Sequence, residues 1–225
     1  MREEINAEHE LGLEQKYKTR IFLVRHGESI GNAQRCFLGH TDLDLTEYGY
    51  RQAKCTADFL SDIRIDEVYS SSLIRAYNTA LPNAALRSLT VKRSDMLREI
   101  YAGEWEGMYV ADIISAYGTL YTEDWRGSFG TFTVPGGESV TALGERIFGE
   151  IKRIAAENEG KTVLIASHAA AIRSFWGRLC GISPEALNDA VPFPINASVS
   201  VVYYDGEALI PGAYSYSKHL ENLSQ

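Results

Sequence analysis

The chain has 225 residues, 45% of them hydrophobic, 23% charged and 11% aromatic, which suits one globular α/β domain with a sizeable core. Its 30 acidic residues outnumber 22 basic ones, for a net charge of −8, and no basic run interrupts that background. Nucleic acid and anionic membranes, which both need a cationic face, are excluded as expected partners; a small anion is not, provided a few arginines and histidines gather in one pocket.

Residues 1–18 are polar and mixed in charge, without the apolar core or cleavage site of a signal peptide. They read as a frayed or loosely helical extension ahead of a single domain over 19–225. Nothing in the chain approaches the ~20 consecutive apolar residues of a membrane span. Cys36, Cys55 and Cys180 are odd in number and fit no CxxC spacing, so reduced thiols and a cytoplasmic location are expected.

The first strand is predicted over Arg20–Val24, a near-continuous apolar run suited to the centre of a parallel sheet. It ends in "RHG", placing Arg25 and His26 where a turn begins, with Gly27 to let the backbone turn. A helix follows over Thr46–Ser61, opened by the capping-type "LTEYG". Then come a strand at Glu67–Ser70, "SSSLIRAYNTA" with Arg75, and a helix over Ser72 to about Ala85, in which Pro82 predicts a kink or an early end. A strand at Thr90–Ser94 precedes a break in the alternation. Residues 101–134 hold eight of the chain's 24 aromatic residues and one base, Arg126; they read as an insertion lying over a sheet edge. "PGGES" introduces a helix over Ser139–Glu157. The strand Thr162–Ser167 delivers His168 and a helix from Ala169 to about Cys180, stopped by Gly181; a last strand spans Ser198–Tyr204. The alternation predicts a three-layer α/β/α fold with a mostly parallel central sheet.

Ligand sites in such sheets gather at the carboxyl ends of the strands. Arg25, His26, Arg75 and His168 follow strands in this way and converge, in expectation, on one edge. Guanidinium groups chelate phosphate oxygens in pairs, and a histidine can donate to another oxygen or attack phosphorus.

The ordered series "RHGESIGN", "GHTDLDLTEYGYRQA", "SSLIRAYNTA", "LREIYAGEWEG", "PGGES" and "ASHAAAIR", spanning about Arg20 to Arg173, resembles the histidine phosphatase superfamily, in its phosphoglycerate-mutase-like branch. The resemblance implies that His26 is the nucleophile, forming a phosphohistidine while a backbone carbonyl holds its other ring nitrogen. Arg25, Arg75 and His168 would clamp the phosphoryl oxygens, Asn32 would add a neutral donor, and the backbone N–H of Ala169, where the family usually has glycine, would remain at the phosphate site. Glu99 would be the proton donor, held protonated by partial burial or by the charge of the substrate. Glu104 and Glu106 read instead as solvated loop residues, and Glu28 as structural. No metal or cofactor is called for, because no paired His/Asp ligand spacing is present and the two arginines supply fixed charge.

Where many relatives carry arginine and a polar residue, this chain has Cys36 and Leu38. These two, with Gly39, Tyr101 and Trp105, are expected to shape the wall that chooses the substrate. The expected activity is hydrolysis of a small phosphorylated metabolite, releasing inorganic phosphate. Two alternatives compete: a cofactor-dependent mutase and a noncatalytic phosphate-binding protein. A mutase must hold a second anion, yet residues 101–134 offer five acids against Arg126; a dead site would be expected to have lost one of its catalytic residues. Phosphoserine, phosphoglycerates, sugar phosphates and α-ribazole phosphate are the substrate candidates by resemblance, and oligomeric state is left open.

Overall fold

A computed structural model describes residues 6–223. In chain order the elements are α1 (Ala7–Glu10), β1 (Thr19–Arg25), α2 (Ile30–Ala33), β2 (Cys36–Phe37), α3 (Glu47–Phe59), β3 (Glu67–Ser71), α4 (Ile74–Ala85), β4 (Val91–Ser94), β5 (Met108–Tyr109), α5 (Val110–Tyr117), α6 (Val140–Glu157), β6 (Thr162–Ser167), α7 (Ala169–Leu179), α8 (Leu187–Ala190), β7 (Val199–Tyr204) and β8 (Leu209–Pro211).

Six strands form one sheet in the order β4-β3-β6-β1-β7-β8. The first four run parallel; β7 is antiparallel to β1, and β8 is antiparallel to β7. Successive side chains of a strand point to opposite faces, and the central strands are apolar on both. Ile21, Leu23, Val163 and Ile165 pack under α6 and α7, whose buried rows include Leu143, Ile147, Ile151, Ile172 and Phe175. Their neighbours Phe22, Val24, Leu164 and Ala166 pack under α3 and α4. Three layers result, with β1 and β6 buried at the centre.

The predicted strands and helices occupy their expected places, and three expectations change in detail. α4 continues past Pro82 to Ala85, so the proline neither stops it early nor sets its end. Of the two expectations for the N-terminal extension, the helical one holds at α1 and the frayed one does not hold over residues 6–18: Asn6 caps α1, Ala7 and Leu11 are buried, Tyr17 stacks on Tyr203 at 4.8 Å, and Tyr216 Oη donates to Glu10 at 2.8 Å. Residues 1–5 lie outside the described residues. The aromatic stretch is placed by pairing of β5 with β2 and by packing on α6, with α5 and a π-helical turn over Leu120–Trp125. Its Trp105, Trp125, Phe129 and Phe132 join the core beneath α6 and α7.

Candidate active site

The site begins where β1 ends. The His26 backbone N–H extends the ladder to the Ser167 carbonyl at 2.9 Å, which fixes the last residues of β1 and β6 side by side. Gly27 is needed for space, not for an unusual turn: its φ is not positive, but a Cβ there would lie 2.5 Å from the Gly49 carbonyl in the first turn of α3. The Gly27 N–H meets Thr79 Oγ1 at 3.0 Å, and Thr79 donates to the Arg75 carbonyl at 2.7 Å. The chain after β1 is thus tied to the helix that presents Arg75.

His26 Nδ1 donates to the Gly27 carbonyl at 2.7 Å, which leaves Nε2 as the ring nitrogen with a free lone pair. Burial holds the His26 pKa well below the ordinary histidine value, and the Arg75 and Arg25 charges push the same way. Arg75 is buried, with Nη1 on the Thr41 carbonyl at 2.9 Å and Nη2 on the Gly39 carbonyl at 2.8 Å; burial pulls it down to about 10, so it stays charged at neutral pH. Arg25 is likewise lowered by burial to about 10 and donates through Nη1 to the Pro194 carbonyl at 2.6 Å. The His168 ring centroid lies 5.2 Å from that of His26. His168 is fully buried and kept neutral by burial and by Arg75. Arg25 Nε and both His168 ring nitrogens are buried without a hydrogen-bond partner among the described residues. Unmatched buried donors are costly, and an oxyanion beside them would recover that cost.

Glu99 sits at the opening of α7. The N-cap of that helix, His168, makes no side-chain cap hydrogen bond, and Glu99 supplies one from across the fold. Its Oε1 accepts from Ile100 N at 2.9 Å and Ala171 N at 3.0 Å, and its Oε2 from Ala170 N at 3.1 Å. The free amides of a helix N-terminus fix in place a side chain that accepts from them. Oε2 keeps an unused lone pair.

These groups border a cavity of about 310 Å³ lined by Arg25, His26, Asn32, Arg75, Glu99 and Ala169, with Cys36, Leu38 and Gly39 on its wall. Asn32 has two parts: its Oδ1 accepts from Ser29 N at 3.1 Å in a capping box for α2, and it faces the cavity. His168, whose ring packs against that of His26, is not among the residues that line the cavity. Trp105 and Tyr101 do not line it either. Trp105 is 0% exposed, packed against Phe37, Trp125 and Phe132, and Tyr101 is exposed beside His40. The aromatic wall is made instead by Phe37, Tyr121, Trp125 and Phe193.

Glu106 is likewise no solvated loop residue. Its carboxylate accepts from the N–H groups of His40, Thr41 and Ala102, each at 2.8 Å, and from Thr41 Oγ1 at 2.9 Å, so it fixes the loop whose carbonyls hold Arg75. The segment before β7 borders the site as well. Asn196 Nδ2 donates to the His26 carbonyl at 3.0 Å and to Asn32 Oδ1 at 3.2 Å, and Ala197 N to the Arg25 carbonyl at 3.0 Å. Because β7 is antiparallel to β1, its beginning borders the site; Asn196 directly ahead of the strand was the available signal. Beyond the aromatic wall a second chamber of about 610 Å³ shares Trp125, Tyr121 and Phe193 and adds Arg35, Arg126 and Arg173. Arg173 is engaged by the Val191 and Asn188 carbonyls and flanked by Phe129 and Phe193.

The sequence profile of the histidine phosphatase superfamily (branch 1) matches residues 21–211. The chain is 33% identical to phosphoserine phosphatase 1 of Hydrogenobacter thermophilus over 83% of this chain and 87% of that protein. It is 32% identical to phosphoglycerate mutase-like protein 4 of Arabidopsis thaliana over 89% and 86%. Among solved structures it resembles a mycobacterial glucosyl-3-phosphoglycerate phosphatase complexed with VO3, with a TM-score of 0.79, 25% identity, and coverage of 88% of this chain and 99% of that one. The chain belongs to branch 1 of the histidine phosphatase superfamily, as a phosphomonoesterase for small phosphorylated metabolites.

Proposed function

We propose that hydrolysis runs through a phosphohistidine on His26, without a metal. The observation that carries this reading is the neutral, fixed imidazole: Nδ1–H is tied to the Gly27 carbonyl, so Nε2 attacks phosphorus while Arg25 and Arg75, which border the cavity, meet the phosphoryl oxygens. As the Nε2–P bond forms, the P–O bond to the leaving group breaks, and Glu99 passes a proton from Oε2 to the departing oxygen. Water then attacks phosphorus, Glu99 takes its proton, the P–N bond breaks, and inorganic phosphate leaves with His26 neutral again. Phosphoserine or another small phosphate ester fits the inner cavity. The unpaired thiols Cys36, Cys55 and Cys180 support a reducing, cytosolic setting.

A second reading has its own support. Arg35 and Arg126 border the outer chamber, and Arg35 comes from outside the acidic stretch, so a second anion on the substrate would meet more countercharge than the sequence offered. That arrangement favours a mutase acting on a bisphosphate. Turnover of p-nitrophenyl phosphate in EDTA, beside a phosphoglycerate mutase assay primed with 2,3-bisphosphoglycerate, separates the two. Phosphatase turnover with mutase flux at least about tenfold lower, a difference of roughly 1.4 kcal/mol in barrier, is expected. Dominant mutase flux, or a strict requirement for added metal, contradicts the reading.

A further inference from the structure

"PGGES" has no part in the chemistry above, yet the structure uses it. Glu138 of that stretch and Arg146, two turns into α6, form a bidentate ion pair, with Nε to Oε1 at 2.9 Å and Nη2 to Oε2 at 2.7 Å. Each side chain is only 17% exposed. The remaining capacity of both is spent on one short segment, residues 96–101. Arg146 Nη1 donates to the Met96 carbonyl at 2.9 Å and the Arg98 carbonyl at 3.1 Å, and Nη2 to the Glu99 carbonyl at 3.2 Å. Glu138 Oε2 accepts from Tyr101 N at 3.3 Å, and Glu138 N donates to the Tyr101 carbonyl at 2.9 Å. His40 Nε2 adds a second donor to the Glu99 carbonyl at 2.9 Å. The backbone around Glu99 is therefore held by Arg146 of α6 and by Glu138 of the turn before it, while its carboxyl is held from α7.

We infer that Glu138 and Arg146 are positioning residues for the acid: the pair sets where Glu99 Oε2 stands relative to the leaving oxygen, without touching substrate. This rests on the acid role proposed for Glu99. Proton transfer demands hydrogen-bond reach, and a displacement of about 1 Å is costly. A planar guanidinium that bonds a carboxylate and three carbonyls at once is a rigid support that a lysine cannot copy.

The leaving group gives the test. p-Nitrophenolate departs with little protonation, whereas the alkoxide of glycerol 2-phosphate needs the acid. kcat/KM on both substrates is compared for the wild type, Glu99→Gln, Arg146→Met, Arg146→Lys and Glu138→Gln. In Arg146→Met and Glu138→Gln the loss on glycerol 2-phosphate should exceed that on p-nitrophenyl phosphate by about tenfold or more, within the range that a general acid contributes. Glu99→Gln should show the same pattern, and Arg146→Lys should restore part of the loss. A merely structural role lowers both substrates equally; equal losses, or none, overturn the inference. Should Arg146→Met fail to fold, Glu138→Gln, which keeps the side-chain shape, decides alone. A wild type that turns over neither substrate overturns the phosphatase reading, and this inference with it.

Discussion

Burying an imidazole beside guanidinium groups makes its proton expensive, and the chain does this at its candidate active site. Burial lowers His26 and His168, with Arg75 acting in the same direction on both, and burial brings His219 down to about 4. The unfolded chain returns each histidine to roughly 6.5. Between the folded and unfolded values the unfolded state binds protons that the folded state refuses, so stability rises with pH across that window. It is fully present above about 6.5 and lost as pH falls below it, with the His219 contribution levelling off near 4. The melting temperature should therefore fall steadily from pH 7 to pH 5, followed by circular dichroism. A melting temperature that is flat or rises over that range would show that these rings are not held neutral. The same neutrality keeps Nε2 available for attack at pH values where a free histidine would be half protonated.

The aromatic stretch between Tyr101 and Val134 divides into a buried layer and a cavity wall. Trp105 belongs to the first, fully buried and enclosed by Phe37, Trp125 and Phe132. Trp105→Ala should cost about 3–5 kcal/mol in chemical denaturation, and loosening Phe37 and Trp125 should raise KM. A loss under about 1 kcal/mol would mean that the layer is not close-packed. From sequence alone Trp105 and Tyr101 read as substrate-facing, because an aromatic-rich insertion shows no period that separates inward from outward positions. The residues that do face the cavity, Phe37, Tyr121, Trp125 and Phe193, come from β2, a π-helical turn and the segment before β7, brought together only by tertiary packing. By contrast β1, β6 and the helices after them were legible, since near-continuous apolar runs and capping residues specify them locally. The carboxyl-end rule located Arg25, His26, Arg75 and His168 because the strands that carry them are parallel. It passed over Asn196 because β7 runs the other way.

Across the whole molecule, charge and polarity are distributed with one purpose. A chain of net charge −8 keeps two guanidinium groups and two imidazoles at the carboxyl edge of its sheet, with Arg75, Arg25 and His26 held by the carbonyls of Gly39, Thr41, Pro194 and Gly27. Glu106 braces the loop behind Arg75, and Glu138 with Arg146 braces the segment behind Glu99. Such a frame fixes two guanidinium groups and the Glu99 carboxyl around one cavity before any ligand arrives, as electrostatic preorganisation requires. The reaction proposed for this frame passes through a covalent bond between His26 and phosphorus. Brief incubation with a 32P-labelled phosphomonoester, an alkaline quench and then acid treatment measures that bond directly. Acid-labile, alkali-stable label is expected on the wild type, with no label and no turnover on His26→Ala. Label or wild-type turnover that persists in His26→Ala would contradict it.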